Sequence, residues 1–192
     1  MSSNSNKARG MSNNKAKGMS DKKQLVTFQL GEERYGIDIM HVKEIYSNHT
    51  VRPIPHAPAY IEGVLNLRGE IIPIINLHRR FGIAKALLSE DDAMLSGFVI
   101  INLSGMKVGV IIDKILSVMD VDRATIQPPP QMITNIGAEY IEGVSPQDAG
   151  YLVILDIDRL FDVKELGRLR MLRSFKSASE EELDQYPQAK SR

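Results

Sequence analysis

The chain is 192 residues long, 43% of them hydrophobic, with 24 basic side chains balanced by 24 acidic ones. That length holds one ordinary domain or two small ones, and the charge balance argues against broad binding to the phosphates of nucleic acid. The absence of cysteine rules out a disulfide framework and a thiolate zinc site, no apolar run approaches the roughly 20 residues of a membrane span, and no signal-peptide pattern opens the chain.

Residues 1–22 read as a disordered basic tail. Its first 20 positions carry Lys7, Arg9, Lys15 and Lys17 without an acid, and repeat SNKARGMS as NNKAKGMS with almost nothing apolar. Such a segment cannot offset its ordering entropy by burial. Order is expected from Lys23 on. LVTFQL places Val26, Phe28 and Leu30 on one strand face, with Thr27 and Gln29 opposite. GEER turns the chain, and YGIDI places Tyr35, Ile37 and Ile39 on one side, so the two form a hairpin. MHVKEI follows as an extended stretch, then a proline-bearing connection, YIEGV at Tyr60–Val64, the apolar strand EIIPIIN and a short helical turn LHRRF capped by Asn76. Pro73 has no backbone donor and belongs at an edge or bulge.

After a connector over 84–96 the same series recurs. FVIINL, a Ser104–Gly105 turn and KVGVII make a second hairpin, DKILSV a second extended stretch, and TIQPPPQMITNIG a second proline-rich connection. YIEGV then returns at Tyr140–Val144, and Asp156 caps a second turn, IDRLF. With a shift of 80, Ile74/Ile154, Arg79/Arg159 and Phe81/Phe161 coincide. With a shift of 73, Val26/Val99, Leu30/Leu103, Gly36/Gly109 and Ile39/Ile112 coincide. The chain is therefore an internal duplication, with halves at about 24–82 and 97–162 inside a domain at 23–163. Short strands with regular turns predict a mainly β fold of two similar small barrels with a groove between them. Beyond it, 164–192 should form a C-terminal helix and a frayed tail. Val163, Leu166, Leu169, Leu172 and Phe175 recur every third residue as an apolar face.

No constellation for chemistry emerges. His41, His49, His56 and His78 lack the spacing of a metal pair and read as surface or loop residues. The glycines sit at turns, without a phosphate loop, and no serine lies in a G-x-S-x-G elbow. Neither a catalytic residue, a metal nor a cofactor is expected, and the chain reads as a non-enzyme. Small barrels also bind single-stranded nucleic acid through basic grooves and stacking rings. Here there are only five Phe, six Tyr and no Trp, and several of the rings fall on core-facing positions, so that reading is the weaker one.

YIEGVLNLRGEIIPIINL, with FQLGEERYGIDIMHVKEI before it and VGVIIDKILSVMDV after it, resembles the CheW family of bacterial chemotaxis coupling proteins from about Gln24 to Val163. The resemblance implies two five-stranded, SH3-like barrels packed side by side with some exchange of strands. It implies a non-enzymatic scaffold that joins the cytoplasmic tip of transmembrane chemoreceptors to the regulatory domain of the histidine kinase CheA. Such a protein is cytoplasmic and a monomer alone, is held at the inner membrane face in ring arrays, and inserts into no membrane. The kinase itself and the CheV adaptors also carry this domain, but with additional domains for which neither tail here has room, so a stand-alone coupler is expected. A coupler in a chemosensory pathway other than motility is the alternative.

By the same resemblance the receptor contact falls on Val42, Glu44, Gly63 and Arg68, and the kinase contact near Gln127 and Met132, where some relatives have arginine and phenylalanine. Glu44 and Arg68 have a rival role as a pair that braces the barrel. Gly63 has one as a backbone position that only glycine tolerates, since Gly143 repeats it. Arg68 aligns with Asp148, so there the two copies differ.

Overall fold

The computed structural model describes residues 21–47, 50–85, 96–130, 138–148 and 150–174, with the single positions 87 and 89. The N-terminal tail, Met132 and Phe175 lie outside the described residues. Ten strands dominate: β1 (Lys22–Leu30), β2 (Glu33–Asp38), β3 (Val42–Ser47), β4 (Ile61–Leu67), β5 (Glu70–Asn76), β6 (Gly97–Leu103), β7 (Met106–Ile112), β8 (Lys114–Asp122), β9 (Ile141–Gln147) and β10 (Gly150–Leu155). Among the described residues two α-helices join them, α1 (Leu77–Phe81) and α2 (Val163–Ser174). The expected caps are present. Asn76 accepts the Arg79 N–H at 3.1 Å and Asp156 the Asp158 N–H at 3.1 Å, and Gly82 ends α1 with φ +67°. The turn Ser104–Gly105 joins β6 to β7 with positive φ at both residues (+48° and +79°), the sign pattern of a tight I′ hairpin turn.

The strands form two five-stranded sheets. Barrel I has the order β3-β6-β7-β5-β4 and barrel II the order β8-β1-β2-β10-β9. Neither duplicated half is a barrel by itself. The hairpin β1–β2 of the first half joins three strands of the second, and β6–β7 of the second joins three of the first. Each hairpin is seamed on both sides, antiparallel at β1–β8 and β3–β6 and parallel at β2–β10 and β5–β7, with Ile154 opposite Gly36 and Ile74 opposite Gly109. Pro73 sits just before the β5–β7 seam begins, where β5 pairs only with β4. Its missing N–H leaves no ladder bond unmade.

Each sheet is drawn round on itself by a two-bond bridge. Arg52 and Val64 exchange N–H···O bonds of 2.9 Å in barrel I, and Gln127 and Val144 exchange bonds of 2.8 Å in barrel II. Gly63 and Gly143 allow these bridges to close. A Cβ on Gly63 would stand 2.1 Å from the Arg52 carbonyl oxygen, and one on Gly143 2.8 Å from that of Gln127.

Among the described residues, the space between the barrels is filled by core rather than left as the expected groove. Inside barrel I lies a small cluster of Leu65, Ile72, Ile74, Phe98 and Ile100, and inside barrel II one of Leu25, Val121, Leu152 and Ile154. By far the largest cluster draws on both sheets, including Phe28, Tyr35 and Ile37 from barrel II and Ile75, Val99 and Val110 from barrel I. β1 is accordingly buried on both faces, since Leu25 serves one core and Phe28 another. Thr27, expected on an outer face, is buried too, and its hydroxyl donates to the Ser117 carbonyl at 2.9 Å. Burying this shared surface stabilises the pair by roughly 25 cal/mol for each Å² removed from water. It fuses two barrels that would each be marginal alone.

Across that shared core the duplicated rings meet in exchange. Tyr60 packs on Phe161 at 6.0 Å between centroids, and Tyr140 on Phe81 at 5.9 Å. The Arg80 guanidinium lies 4.7, 5.2 and 5.1 Å from the centroids of Tyr60, Tyr140 and Phe161, all within cation–π range.

The helix α2 departs from its reading in one respect. Leu169 is fully buried and Leu166 and Leu172 pack beside it, but Val163 is 84% exposed. A spacing of three falls short of a 3.6-residue turn by about 60° per step, so Val163 has rotated roughly 120° away from Leu169.

Candidate functional site

Two of the expected contact residues meet at one end of barrel I. Arg68 and Gly69 make the β4–β5 turn, both with positive φ (+52° and +86°), and the Asn66 carboxamide oxygen accepts the Gly69 N–H at 3.0 Å. The left-handed backbone costs a non-glycine residue about 1–2 kcal/mol, and it throws the Arg68 side chain outward, where it is 77% exposed. Its Nη2 lies 3.6 Å from Oε2 of Glu44 on β3, a third of whose side chain is exposed. The pair exists, but at this distance and exposure it is worth no more than about 1 kcal/mol.

The same Glu44 oxygen accepts a hydrogen bond from the Tyr46 hydroxyl, two residues along β3. Hydrogen bonding to Glu44, with a smaller contribution from burial, pushes the Tyr46 phenol above its ordinary range. Nearby, Lys107 pairs with Glu70 at 2.7 Å, which extends the polar rim. Sequence reading singled out Glu44 and Arg68 but missed Tyr46. The signal was available: aligned at a shift of 73, Tyr46 falls opposite Met119.

The other expected residues take no part in these contacts. Val42 is half-buried against the shared core, with some apolar surface left at the start of β3. Gly63 is buried and its place is accounted for by barrel closure. Gln127 stands on barrel II with its side chain exposed, along an open depression lined also by Met119, Val121, Thr125 and Pro146. Met40, next to β3, and Ile45 on it are exposed apolar side chains that face solvent on barrel I.

One histidine is not a surface residue. His78 on α1 is buried with Asp113, its Nε2 2.9 Å from Oδ1, while Oδ2 of Asp113 accepts the Gly31 N–H at 2.7 Å. The pair ties α1 to the turn between β1 and β2, so its role is structural. Asp113 lies 35 positions away in sequence, which hides the pairing from any local pattern. Among the described residues no three His, Cys, Asp or Glu side chains gather as they would around a metal ion. Nor, among those residues, is any helix long and apolar enough to cross a membrane.

Comparison with known proteins agrees with this architecture. The family model described as a CheW-like domain matches residues 24–165. The chain is 60% identical over 149 residues to a chemotaxis protein CheW of Treponema pallidum, covering 78% of this chain and 88% of that one. It is 32% identical over 145 residues to a chemotaxis protein CheW of Klebsiella aerogenes, covering 76% and 85%. Among solved structures it resembles the scaffolding protein TtCheW from Thermoanaerobacter tengcongensis, with a TM-score of 0.66, 38% identity, and coverage of 74% of this chain and 90% of that one.

Proposed function

The chain belongs to the CheW family, and from that membership we propose that it is a non-enzymatic adaptor joining the cytoplasmic tip of transmembrane chemoreceptors to the regulatory domain of the histidine kinase CheA. The observation that carries this reading is the span of the family match. It takes in both barrels from residue 24 to 165, the whole of the double fold.

Receptor binding is assigned to the barrel I end that carries Glu44 and Arg68, with Val42 supplying apolar area beside it. An exposed guanidinium on a rigid turn, next to half-buried aliphatic surface, suits a helical hairpin tip that presents both apolar and acceptor groups. Kinase binding is assigned to barrel II around Gln127, where an open depression lies on the opposite sheet. The two contacts then sit on different barrels fused by one core. A shift at one contact reaches the other as a coupling free energy of about 1–3 kcal/mol.

The test is reconstitution. Receptor-bearing membranes, kinase and labelled ATP are combined with and without this chain, and phosphate incorporation is followed. A receptor-dependent rise in kinase activity that needs the chain supports the reading. Equal activity in both arms overturns it.

A further inference from the structure

The two barrels are built on one plan, and the pairing register states the plan residue by residue. In barrel I, β3 pairs with β6 so that Tyr46 faces Phe98, Ile45 faces Val99 and Glu44 faces Ile100. In barrel II, β8 pairs with β1 so that Met119 faces Leu25, Val118 faces Val26 and Ser117 faces Thr27. Every member of the first set lies 73 positions from its equivalent, so Tyr46 answers to Met119 and Glu44 to Ser117. At the β4–β5 and β9–β10 turns, Arg68 answers to Asp148 at a shift of 80.

Three side chains that touch one another in barrel I are therefore all replaced in barrel II. The equivalents do ordinary structural work there: Met119 packs on the inner cluster of its barrel, and Ser117 bonds Thr27. The barrel closes with Met119 in place of the tyrosine, Ser117 in place of the glutamate and Asp148 in place of the arginine. What barrel I adds is not needed for the fold.

We propose that Tyr46 is a positioning residue for partner recognition, holding Glu44 so that Arg68 is presented outward rather than captured; this rests on the receptor-coupling role proposed above. The Tyr46 ring is anchored against the inner cluster of barrel I, so its hydroxyl is a fixed donor and not a swinging one. It occupies Oε2 of Glu44, the oxygen nearest Arg68. The carboxylate held there stands 3.6 Å from Nη2 of Arg68, near enough to attract the guanidinium but beyond direct hydrogen-bond distance. The outer N–H groups of Arg68 then face solvent in a defined direction, suited to an oxygen acceptor, best a carboxylate, on a helical partner. Without the hydroxyl, Glu44 is free to fold onto Arg68 and mask it.

The experiment measures binding of a purified receptor signalling fragment to the wild-type chain and to Tyr46→Phe, Glu44→Gln, the double variant and Arg68→Ala. Carbon-13 NMR follows ionisation of the Tyr46 ring in the wild type and in Glu44→Gln. Tyr46→Phe is expected to weaken binding about three- to tenfold with an unchanged melting temperature. The double variant should be no weaker than Glu44→Gln, because Tyr46 acts only through Glu44. Tyr46 should ionise at lower pH once Glu44 is neutral.

Wild-type affinity in Tyr46→Phe alongside a loss in Arg68→Ala overturns the inference and leaves the coupling role standing. So does a double variant in which the two losses simply add, or a Tyr46 titration indifferent to Glu44→Gln. Absence of binding by the wild-type chain itself overturns the coupling reading, and this inference with it.

Discussion

Arg80 of α1 grips Glu165 of α2 with both arms, Nη1 to Oε1 at 2.6 Å and Nη2 to Oε2 at 2.9 Å, although 85 residues separate them. Glu165 is also half of a capping box. Its Oε2 accepts the Asp162 N–H at 3.0 Å, while Asp162 accepts the Glu165 N–H at 2.8 Å. One carboxylate thus starts the last helix and fastens it to the middle of the molecule. The second copy has Leu160 where the first has Arg80, and the Leu160 carbonyl accepts from Arg80 at 2.8 Å. At this place the copies differ in role, one supplying the guanidinium and the other a backbone acceptor for it.

Arg80→Ala should be among the most damaging single substitutions in the chain. Its side chain is only 11% exposed and Glu165 16%, so removal leaves a half-buried carboxylate unpaired and empties the ring cage. A loss of about 3 kcal/mol is expected, read as a lower urea midpoint. Arg80→Lys should recover little, since an ammonium cannot make both parallel bonds.

Acid should loosen the same joint. Burial by itself pushes the Glu165 carboxyl up. The hydrogen bonds from Arg80, the Asp162 N–H and Tyr60, together with the Arg80 charge, outweigh burial and hold it below the ordinary glutamate value. A depressed value in the folded state means the contribution is whole above the unfolded-state value and is lost as the pH falls through the folded one. Urea titrations from neutral pH downward should therefore show a stability decline below the usual carboxylate range. The decline should be shallower in Arg80→Ala.

Base should act on the ring above it. Burial first, then its hydrogen bond to Glu165, pushes the Tyr60 phenol up to about 12. Here the folded value is raised, so the contribution is whole below the unfolded-state value and disappears as pH rises through about 12. Ultraviolet titration of the wild type against Tyr60→Phe should show one late-ionising phenol missing from the variant.

Gly63→Ala and Gly143→Ala separate closure from contact. The added methyl would meet the Arg52 carbonyl oxygen at 2.1 Å in one and Ile126 Cγ2 at 2.5 Å in the other. Each should cost about 1–3 kcal/mol, with Gly63→Ala the worse because its clash with backbone is the closer, 2.1 Å against 2.8 Å to the Gln127 carbonyl oxygen. Thermal melts should show this loss before any partner is added. A Gly63→Ala protein of wild-type stability that fails to bind receptor would return Gly63 to the contact surface.

Arg68→Gly should separate stability from recognition in the opposite sense. At φ +52° glycine removes the left-handed strain, and its extra chain entropy offsets part of the gain, for a net change within about 1 kcal/mol. Urea unfolding should show a stability within about 1 kcal/mol of the wild type, while receptor-dependent kinase activation is lost.

Much of this was legible in the residues, and what was not has a physical reason. The repeated YIEGV, the two hairpins and the caps at Asn76 and Asp156 are local signals, and local chemistry decides them. Which copy's hairpin completes which barrel is not local. Ile74 is as apolar as Ile154, and nothing in either says that its parallel neighbour will be Gly109 or Gly36. The packed space between the barrels escaped for the same reason. A period-two pattern assigns one inner face per strand, whereas β1 serves two cores at once. Glu44 and Arg68 came from resemblance, while the bond from Tyr46 to Glu44 shows only in the folded strand.

The exchanged hairpins also bear on what the molecule can become. A chain severed between Phe81 and Gly97 would give two pieces, each holding two strands that belong to the other's sheet. Neither should persist as a folded unit, yet mixed they ought to reassemble into a working whole, like the two leaves of a hinge that need a common pin. By the same token no ancestor of half this length can have had today's barrels unless it first lived as a pair.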